Sequence, residues 1–306
     1  MYKAFFGLRA SPFGVNPDPQ FLYVMPHIKE ALACLHYGIR TRKGFIVLTG
    51  EVGTGKTTLL KSALASLSDA RLATSYLFNP RLDVLDFFEF LLTDFGIPFT
   101  SRTKAHMLLR LNQWLLERFR TGETAVIVID EAQHLSSELL EEIRLLTNLE
   151  TSTEKLLQIV LAGQPELEQK LRQVSARQLR QRITLLCRTR ALTREETRSY
   201  LAERLRIAGA TAPVFSPEAA DAIYTYAKGI PRTINLLSEH ALITAYVEQL
   251  RPIPACIVDG TAREFDLDSP AVAISQDSVL SSISAASGVK PNVSAIFPVA
   301  AKEEGL

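Results

Sequence analysis

At 306 residues the chain can hold one large domain or two modest ones, and 47% hydrophobic with 22% charged content calls for a real core. The net charge of +1 decides nothing about nucleic acid, because a basic patch can sit inside a balanced total. Cys34, Cys187 and Cys256 form an odd set without CxxC spacing, which argues against metal ligands and for buried free thiols in a reducing compartment.

In chain order, the stretch from Met1 to Arg9 has too short an apolar run for a signal peptide. Nowhere do about 18 apolar residues run together, so no membrane span is expected and the chain reads as cytoplasmic. Residues 1–25 carry Ser11-Pro12-Phe13-Gly14 and Asn16-Pro17-Asp18-Pro19, which rule out a long helix. They form an arm that either covers a site carried elsewhere, with Phe13 and Tyr23 as candidate walls, or anchors in the core. From Pro26 to about Arg40, Ile28, Leu32, Leu35 and Ile39 recur at helical spacing.

The apolar run Phe45–Thr49 opens onto Gly50-Glu51-Val52-Gly53-Thr54-Gly55-Lys56-Thr57, and Thr58 to Leu64 reads as a helix. G-x-x-x-x-G-K-[ST] between a strand and a helix is a phosphate cradle. Its glycines let backbone N–H groups converge on phosphates, and the helix start adds partial positive charge. Lys56 can reach the β and γ phosphates, and the Thr57 hydroxyl can serve Mg²⁺. Residues 50–58 are therefore expected to bind a nucleotide.

Leu72–Phe78 suits a second strand, and helices are expected over Val84–Phe95 and Ala105–Phe119, parted by Gly96-Ile97-Pro98. Ala125–Ile129, Leu156–Gly163 and Ile183–Cys187 are further strand candidates. Continuous apolar runs fit strands buried on both faces, and their alternation with helices predicts an α/β fold on a parallel sheet. Asp130 at a strand end is placed to hold the Mg²⁺ coordination sphere, and Glu131 to orient and deprotonate the attacking water. Gln164, ending the next strand, would project toward the γ-phosphate. Arg180 and Arg182 precede the fifth strand, where an arginine inserted from a neighbouring subunit could stabilise the transferred phosphoryl group. Eleven Lys and Arg between Lys170 and Arg206 face only Glu195, Glu196 and Glu203, which keeps DNA in view although no reading motif accompanies them.

Past Thr193 strand signals fade. Thr193 caps one helix, Ser216-Pro217-Glu218 opens another, and Arg232–Val247 gives a third. Gly229-Ile230-Pro231-Arg232 puts an arginine where it can reach back to the phosphates. The expected division is an arm and helix over 1–43 packing on the core, a phosphate-loop core over 44–190, a helical lid over 191–266 and a disordered tail over 267–306.

These residues resemble an AAA+ ATPase, and within that superfamily the ExeA/GspA family of secretion-associated ATPases. The resemblance runs from Phe5-Phe6-Gly7-Leu8 through Asn16-Pro17-Asp18-Pro19, the phosphate loop, Asp130-Glu131-Ala132-Gln133, Gly163-Gln164-Pro165-Glu166 and Gln181-Arg182-Ile183 to Gly229-Ile230-Pro231-Arg232, covering residues 2 to about 250. It implies a five-stranded parallel sheet with a helical lid, and ATP and Mg²⁺ as ligands. It also implies Walker A roles for Lys56 and Thr57, Walker B roles for Asp130 and Glu131, sensor roles for Gln164 and Arg232, and an arginine finger at Arg182, with Arg180 as the alternative. A finger acting in trans implies a homo-oligomer, ring or filament. Longer members add a membrane span and a periplasmic peptidoglycan-binding part, with no counterpart in the tail. The expected activity is Mg²⁺-dependent ATP hydrolysis coupled to assembly or remodelling of an unidentified protein complex in secretion or pilus biogenesis, in the cytoplasm or at the inner membrane periphery. The alternative is an ATP-licensed DNA-binding assembly factor of the TniB or MuB type.

Overall fold

A computed structural model describes residues 1–14, 16, 18–67 and 71–267, so the tail expected over 267–306 lies, beyond its first residue, outside the described residues. A short helix, α1 (Tyr2–Phe6), precedes an irregular arm and α2 (Pro26–Arg40). Pro26 fits the first turn of α2, where its missing N–H has no intrahelical partner to lose, and Ile28, Ala31, Leu35 and Ile39 form the buried stripe. Then follow β1 (Phe45–Thr49), α3 (Lys56–Ser66), β2 (Leu72–Leu77), α4 (Val84–Asp94), α5 (Lys104–Arg120), β3 (Thr124–Ile129), α6 (Ser137–Leu146), β4 (Leu157–Gly163), α7 (Pro165–Arg172), α8 (Arg177–Arg180) and β5 (Leu185–Arg188). The described chain closes with α9 (Arg194–Ile207), α10 (Pro217–Ala227), α11 (Pro231–Val247) and α12 (Ala255–Glu264). Residues Met1–Phe265 form one compact unit.

The strands make one sheet in the order β2-β3-β4-β1-β5, every pairing parallel. Parallel strands need crossover helices, which cover both faces; β1 and β4 are accordingly buried at every residue. Alternation then divides the side chains. Phe45, Val47, Ile127, Ile129, Ile159 and Leu161 join the large core with α4, α5, α6 and α7. On the opposite face the chain presents Ile46, against which α2 packs through Gly38, where a Cβ would come within 2.5 Å of Ile46 Cδ1. Gln158 is the polar exception in β4, satisfied by accepting from the Gly44 N–H at 2.7 Å and donating to the Lys155 carbonyl at 3.1 Å.

The fifth strand begins two residues later than its apolar run predicts. Thr184 N–H already bonds the Phe45 carbonyl, but β5 is an edge strand with half its residues exposed, so its hydrophobic signal is loose. The sheet and the helices α9 to α12 are joined where Leu192 N–H donates to the Gly229 carbonyl at 2.8 Å. Ligands of open α/β sheets bind beyond the carboxyl ends of the strands, at the point where crossover direction changes. Here that point lies between β1 and its neighbour β4, with β3 next along.

Candidate functional site

The loop after β1 wraps around its own lysine. Lys56 begins α3, is buried, and donates from Nζ to the Gly50 and Glu51 carbonyls at 2.8 and 3.0 Å. Burial lowers its pKa, while Glu131 and then Asp130 oppose that shift and favour the cation. Thr54 fastens the loop, donating to the Glu51 carbonyl at 2.7 Å and sharing a 2.7 Å hydrogen bond with Thr189 beyond β5. Gly53 has φ of 78°, and a Cβ there would lie 2.9 Å from both Arg232 Cβ and Ile230 Cγ2. A side chain would therefore push away the start of α11, whose Arg232 N–H donates to the Gly53 carbonyl at 3.1 Å.

The acidic pair meets this loop from β3. Asp130 Oδ2 accepts from the Thr57 hydroxyl at 2.7 Å and from the Tyr76 hydroxyl at 3.1 Å, while Oδ1 accepts from the Glu131 N–H at 3.0 Å. Burial first, then Asp130, raises the Tyr76 pKa, so its hydroxyl remains a donor. Glu131 takes a left-handed backbone conformation, φ 51°. Its Oε2 accepts from Gln133 Nε2 at 2.5 Å and from Gln164 Nε2 at 3.1 Å. Burial pushes the Glu131 carboxyl up, and the two amides followed by Lys56 outweigh it, holding the group below its usual range.

Val52, Gly53, Thr54, Gly55, Lys56, Thr57, Thr58, Glu131 and Arg232 line a single cleft of about 600 Å³. Gly50 and Glu51 contribute the carbonyls beneath Lys56, Asp130 bonds Thr57, and Gln164 bonds Glu131, so these expected site residues form one connected group. Arg182 is not part of it. It is exposed and precedes β5, at the amino ends of the strands, roughly 15 Å of strand away from the carboxyl ends at about 3.3 Å per residue. Arg180 is exposed beside it on α8.

The arm supplies the cleft's other wall, through Phe21 and Tyr23 among others. Tyr23 thus lines the cleft as expected of a wall, but Phe13 does not. Phe13 is fully buried, its ring 6.1 Å from Phe215, and it anchors the arm. The clasp is Arg204 of α9, which is buried and donates to the carbonyls of Pro12 at 2.5 Å and Phe21 at 3.5 Å, and to the Tyr200 hydroxyl at 2.8 Å. The arm is held further by Tyr2, which donates to Glu239 of α11 at 2.6 Å. Tyr76 and Arg204 lie in no motif, and Gln133 enters the sequence only as the last residue of Asp130-Glu131-Ala132-Gln133, which gives it no role by itself.

The basic stretch from Lys170 to Arg206 is largely neutralised within the fold. Arg172 and Arg188 pair with Glu168, Arg190 with Glu196, Arg194 and Arg198 with Asp221, and Arg206 with Glu203. Lys170 serves backbone carbonyls and Arg204 the arm. Among the described residues, Arg177, Arg180 and Arg182 are left without an ion pair, and they cluster at the amino ends of the strands.

The Thr57 hydroxyl and Asp130 carboxylate suit a hard cation such as Mg²⁺, which takes oxygen donors and few protein ligands when phosphates supply the rest. Among the described residues no group of three or more His, Cys, Asp or Glu could hold a metal by itself, and no helix is long and apolar enough to cross a membrane.

Residues 39–171 match the family model described as AAA domain. The chain is 43% identical over 247 residues to General secretion pathway protein A of Aeromonas hydrophila, a match covering 80% of this chain and 45% of that protein, so the chain spans less than half of the relative's length. Among solved structures it is similar to Cdc6p from Pyrobaculum aerophilum, with a TM-score of 0.62 and 20% identity over 91% of this chain and 73% of that one. The Aeropyrum pernix ORC2 protein, in ADPNP and ADP complexes, gives a TM-score of 0.59 at 15% identity over 80% and 71%. The Thermotoga maritima RuvB Holliday junction branch migration motor gives 0.55 at 17% over 85% and 76%. At such identities these structures share the fold alone. Together with the cleft built on Lys56 and Asp130, the matches place the chain: it belongs to the AAA+ ATPases, in their ExeA/GspA-like branch.

Proposed function

We propose that this chain hydrolyses ATP to ADP and phosphate with Mg²⁺, and couples that reaction to the assembly or remodelling of a protein complex. The observation that carries the reading is the 2.7 Å hydrogen bond from Thr57 to Asp130, which ties the phosphate loop to the acidic strand end with Lys56 and Glu131 on the same cleft. In this reading the loop amides and Lys56 hold the phosphates, and Thr57 and Asp130 hold Mg²⁺. The ion supplies neutralisation of phosphate charge when bound. Glu131 takes the proton of the attacking water, Gln164 helps orient that water, and Arg232 reports phosphate occupancy to the helical lid. Residues 44–190 serve as the hydrolytic core and 191–266 as the lid, with residues 1–43 bridging them.

Arg182 would complete the site of a second copy, which makes the working unit a homo-oligomer, ring or filament. A role in secretion rests on the relative's name, and the location is taken as the cytoplasm or the inner membrane periphery. The neutralised basic stretch weakens the DNA-licensed alternative, which keeps no specific observation in its favour.

Phosphate release from ATP, measured with Mg²⁺ and with excess EDTA, tests this reading. Turnover that requires the cation and is indifferent to duplex DNA at low salt is the expected result. No turnover in any condition would contradict hydrolysis, and DNA retention with stimulated turnover would move the function to a DNA assembly factor.

A further inference from the structure

Gln133 lies two residues beyond Glu131, in the tight turn Ala132–His134, and both ends of its amide are engaged beside the acidic pair. Oε1 accepts from the Gln164 N–H at 3.1 Å, and Nε2 donates to Glu131 Oε2 at 2.5 Å. A backbone N–H can only donate, so the amide has one admissible orientation. Turned over, it would set oxygen against carboxylate and nitrogen against N–H.

The surroundings preserve that orientation. A Cβ on Gly163, the last residue of β4, would lie 2.8 Å from Gln133 Oε1, so the strand end leaves room for the amide and for little else. Lys170 of α7 fastens the turn by donating to the carbonyls of Gln133 and Leu135 at 2.9 and 2.6 Å. Gln164 delivers a second amide to the same Oε2, at 3.1 Å. Among the described residues Glu131 Oε1 accepts no hydrogen bond, and Glu131 lines the cleft while Gln133 does not.

We infer that Gln133 is a positioning residue for hydrolysis: anchored on the end of β4, it holds Glu131 by one carboxylate oxygen so that the other faces the attacking water. The inference rests on the ATPase reading with Glu131 as base. In that step the water oxygen bonds to the γ-phosphorus and the bond from that phosphorus to the bridging oxygen breaks. ADP leaves with the electron pair, and the water's proton passes to Glu131 Oε1. Gln133 touches none of the reacting atoms. Its effect comes from fixing the carboxylate, since small displacements of a catalytic group cost large factors in rate.

Gln133→Met keeps approximate length and bulk while losing both polar ends. In the full chain with Mg²⁺ and ATP, kcat should fall at least ten-fold, while affinity for a fluorescent ATP analogue and the melting temperature stay at wild-type values. Added to Glu131→Gln, it should cause no further loss of residual turnover, because both changes act through one carboxylate. An unchanged kcat, additive losses, or a parallel fall in affinity and melting temperature would each overturn the inference. Should Gln133→Met not fold, Gln133→Asn keeps an amide but is one methylene too short to span from the Gln164 N–H to Glu131 Oε2, and should show the same loss confined to kcat; wild-type kcat in that variant would also overturn it. A wild-type chain without turnover removes the ATPase reading itself. Wild-type turnover that Glu131→Gln abolishes and Gln133→Met leaves intact removes only the role of Gln133.

Discussion

Lys56 stands among carboxylates and loop carbonyls, and burial alone would favour its neutral form. Glu131 first and then Asp130 oppose that and favour the cation, and the cation adds to the two amides that hold the Glu131 carboxyl below its usual range. Lys56→Ala should therefore weaken ATP binding by roughly 10²-fold, the order expected for losing a charge-assisted contact of about 3 kcal/mol, as read by titration with a fluorescent nucleotide. Gly229 makes a different kind of demand. It has φ of 75°, and a Cβ would lie 1.9 Å from the Leu192 carbonyl oxygen, just ahead of the proline that starts α11. Gly229→Ala should destabilise the fold by about 2–4 kcal/mol from left-handed strain and overlap together, visible as a lower melting temperature. The residues with motif chemistry were legible in the sequence because phosphate binding dictates residue type and spacing. Tyr76 was not, since its 3.1 Å bond to Asp130 depends on β2 lying beside β3, a pairing the sequence does not record.

Among the elements, α7 joins strands that are not consecutive. Its Glu168 accepts from Thr49 of β1 at 2.5 Å and from Arg188 of β5 at 2.9 Å through each carboxylate oxygen. Arg188 chiefly, opposed by burial and aided by Thr49, pulls the Glu168 pKa from 4.5 down to about 2. A carboxyl whose pKa is lowered by folding contributes fully above its ordinary value and loses that contribution as pH falls through the folded one. The tie should therefore weaken between pH 4.5 and about 2. Glu168→Gln should cost roughly 1 kcal/mol at pH 7, the scale of a partly exposed ion pair, with the gap to wild type closing as pH falls in denaturation curves. The sequence showed the strands of this sheet through their apolar runs but passed over α6 and α7. Only Leu167 and Leu171 are buried in α7, too short a stripe to announce a helix. Strand order was equally hidden, because β1 lies between β4 and β5 through contacts more than 100 residues apart.

At the scale of the molecule, the cleft lies at the carboxyl ends of the strands, while Arg177, Arg180 and Arg182, which make no ion pair among the described residues, lie toward the amino ends. A single copy cannot bring them together, whereas a head-to-tail neighbour can, and such contacts close into rings or run on as filaments. Arg182→Ala should retain ATP binding and lose turnover. Mixed with Glu131→Gln protein it should regain part of the activity, since intact sites then receive intact arginines from the other variant. No recovery at any mixing ratio would place the finger elsewhere. The arm belongs to the same scale: Arg204 and Tyr2 bind it to α9 and α11 while its Tyr23 lines the cleft, so one segment touches both the cleft and the C-terminal helices.

The proposed hydrolytic roles of Gln133, Gln164 and Arg182 depend on Glu131 being the group that readies water for attack on a triphosphate held by Lys56. The measurement that bears on this most directly is Mg²⁺-dependent phosphate release by Glu131→Gln, with bound nucleotide quantified in the same sample. The expected result is ATP retained at wild-type occupancy with release slowed by about 10²-fold or more. Wild-type release by that variant would contradict it.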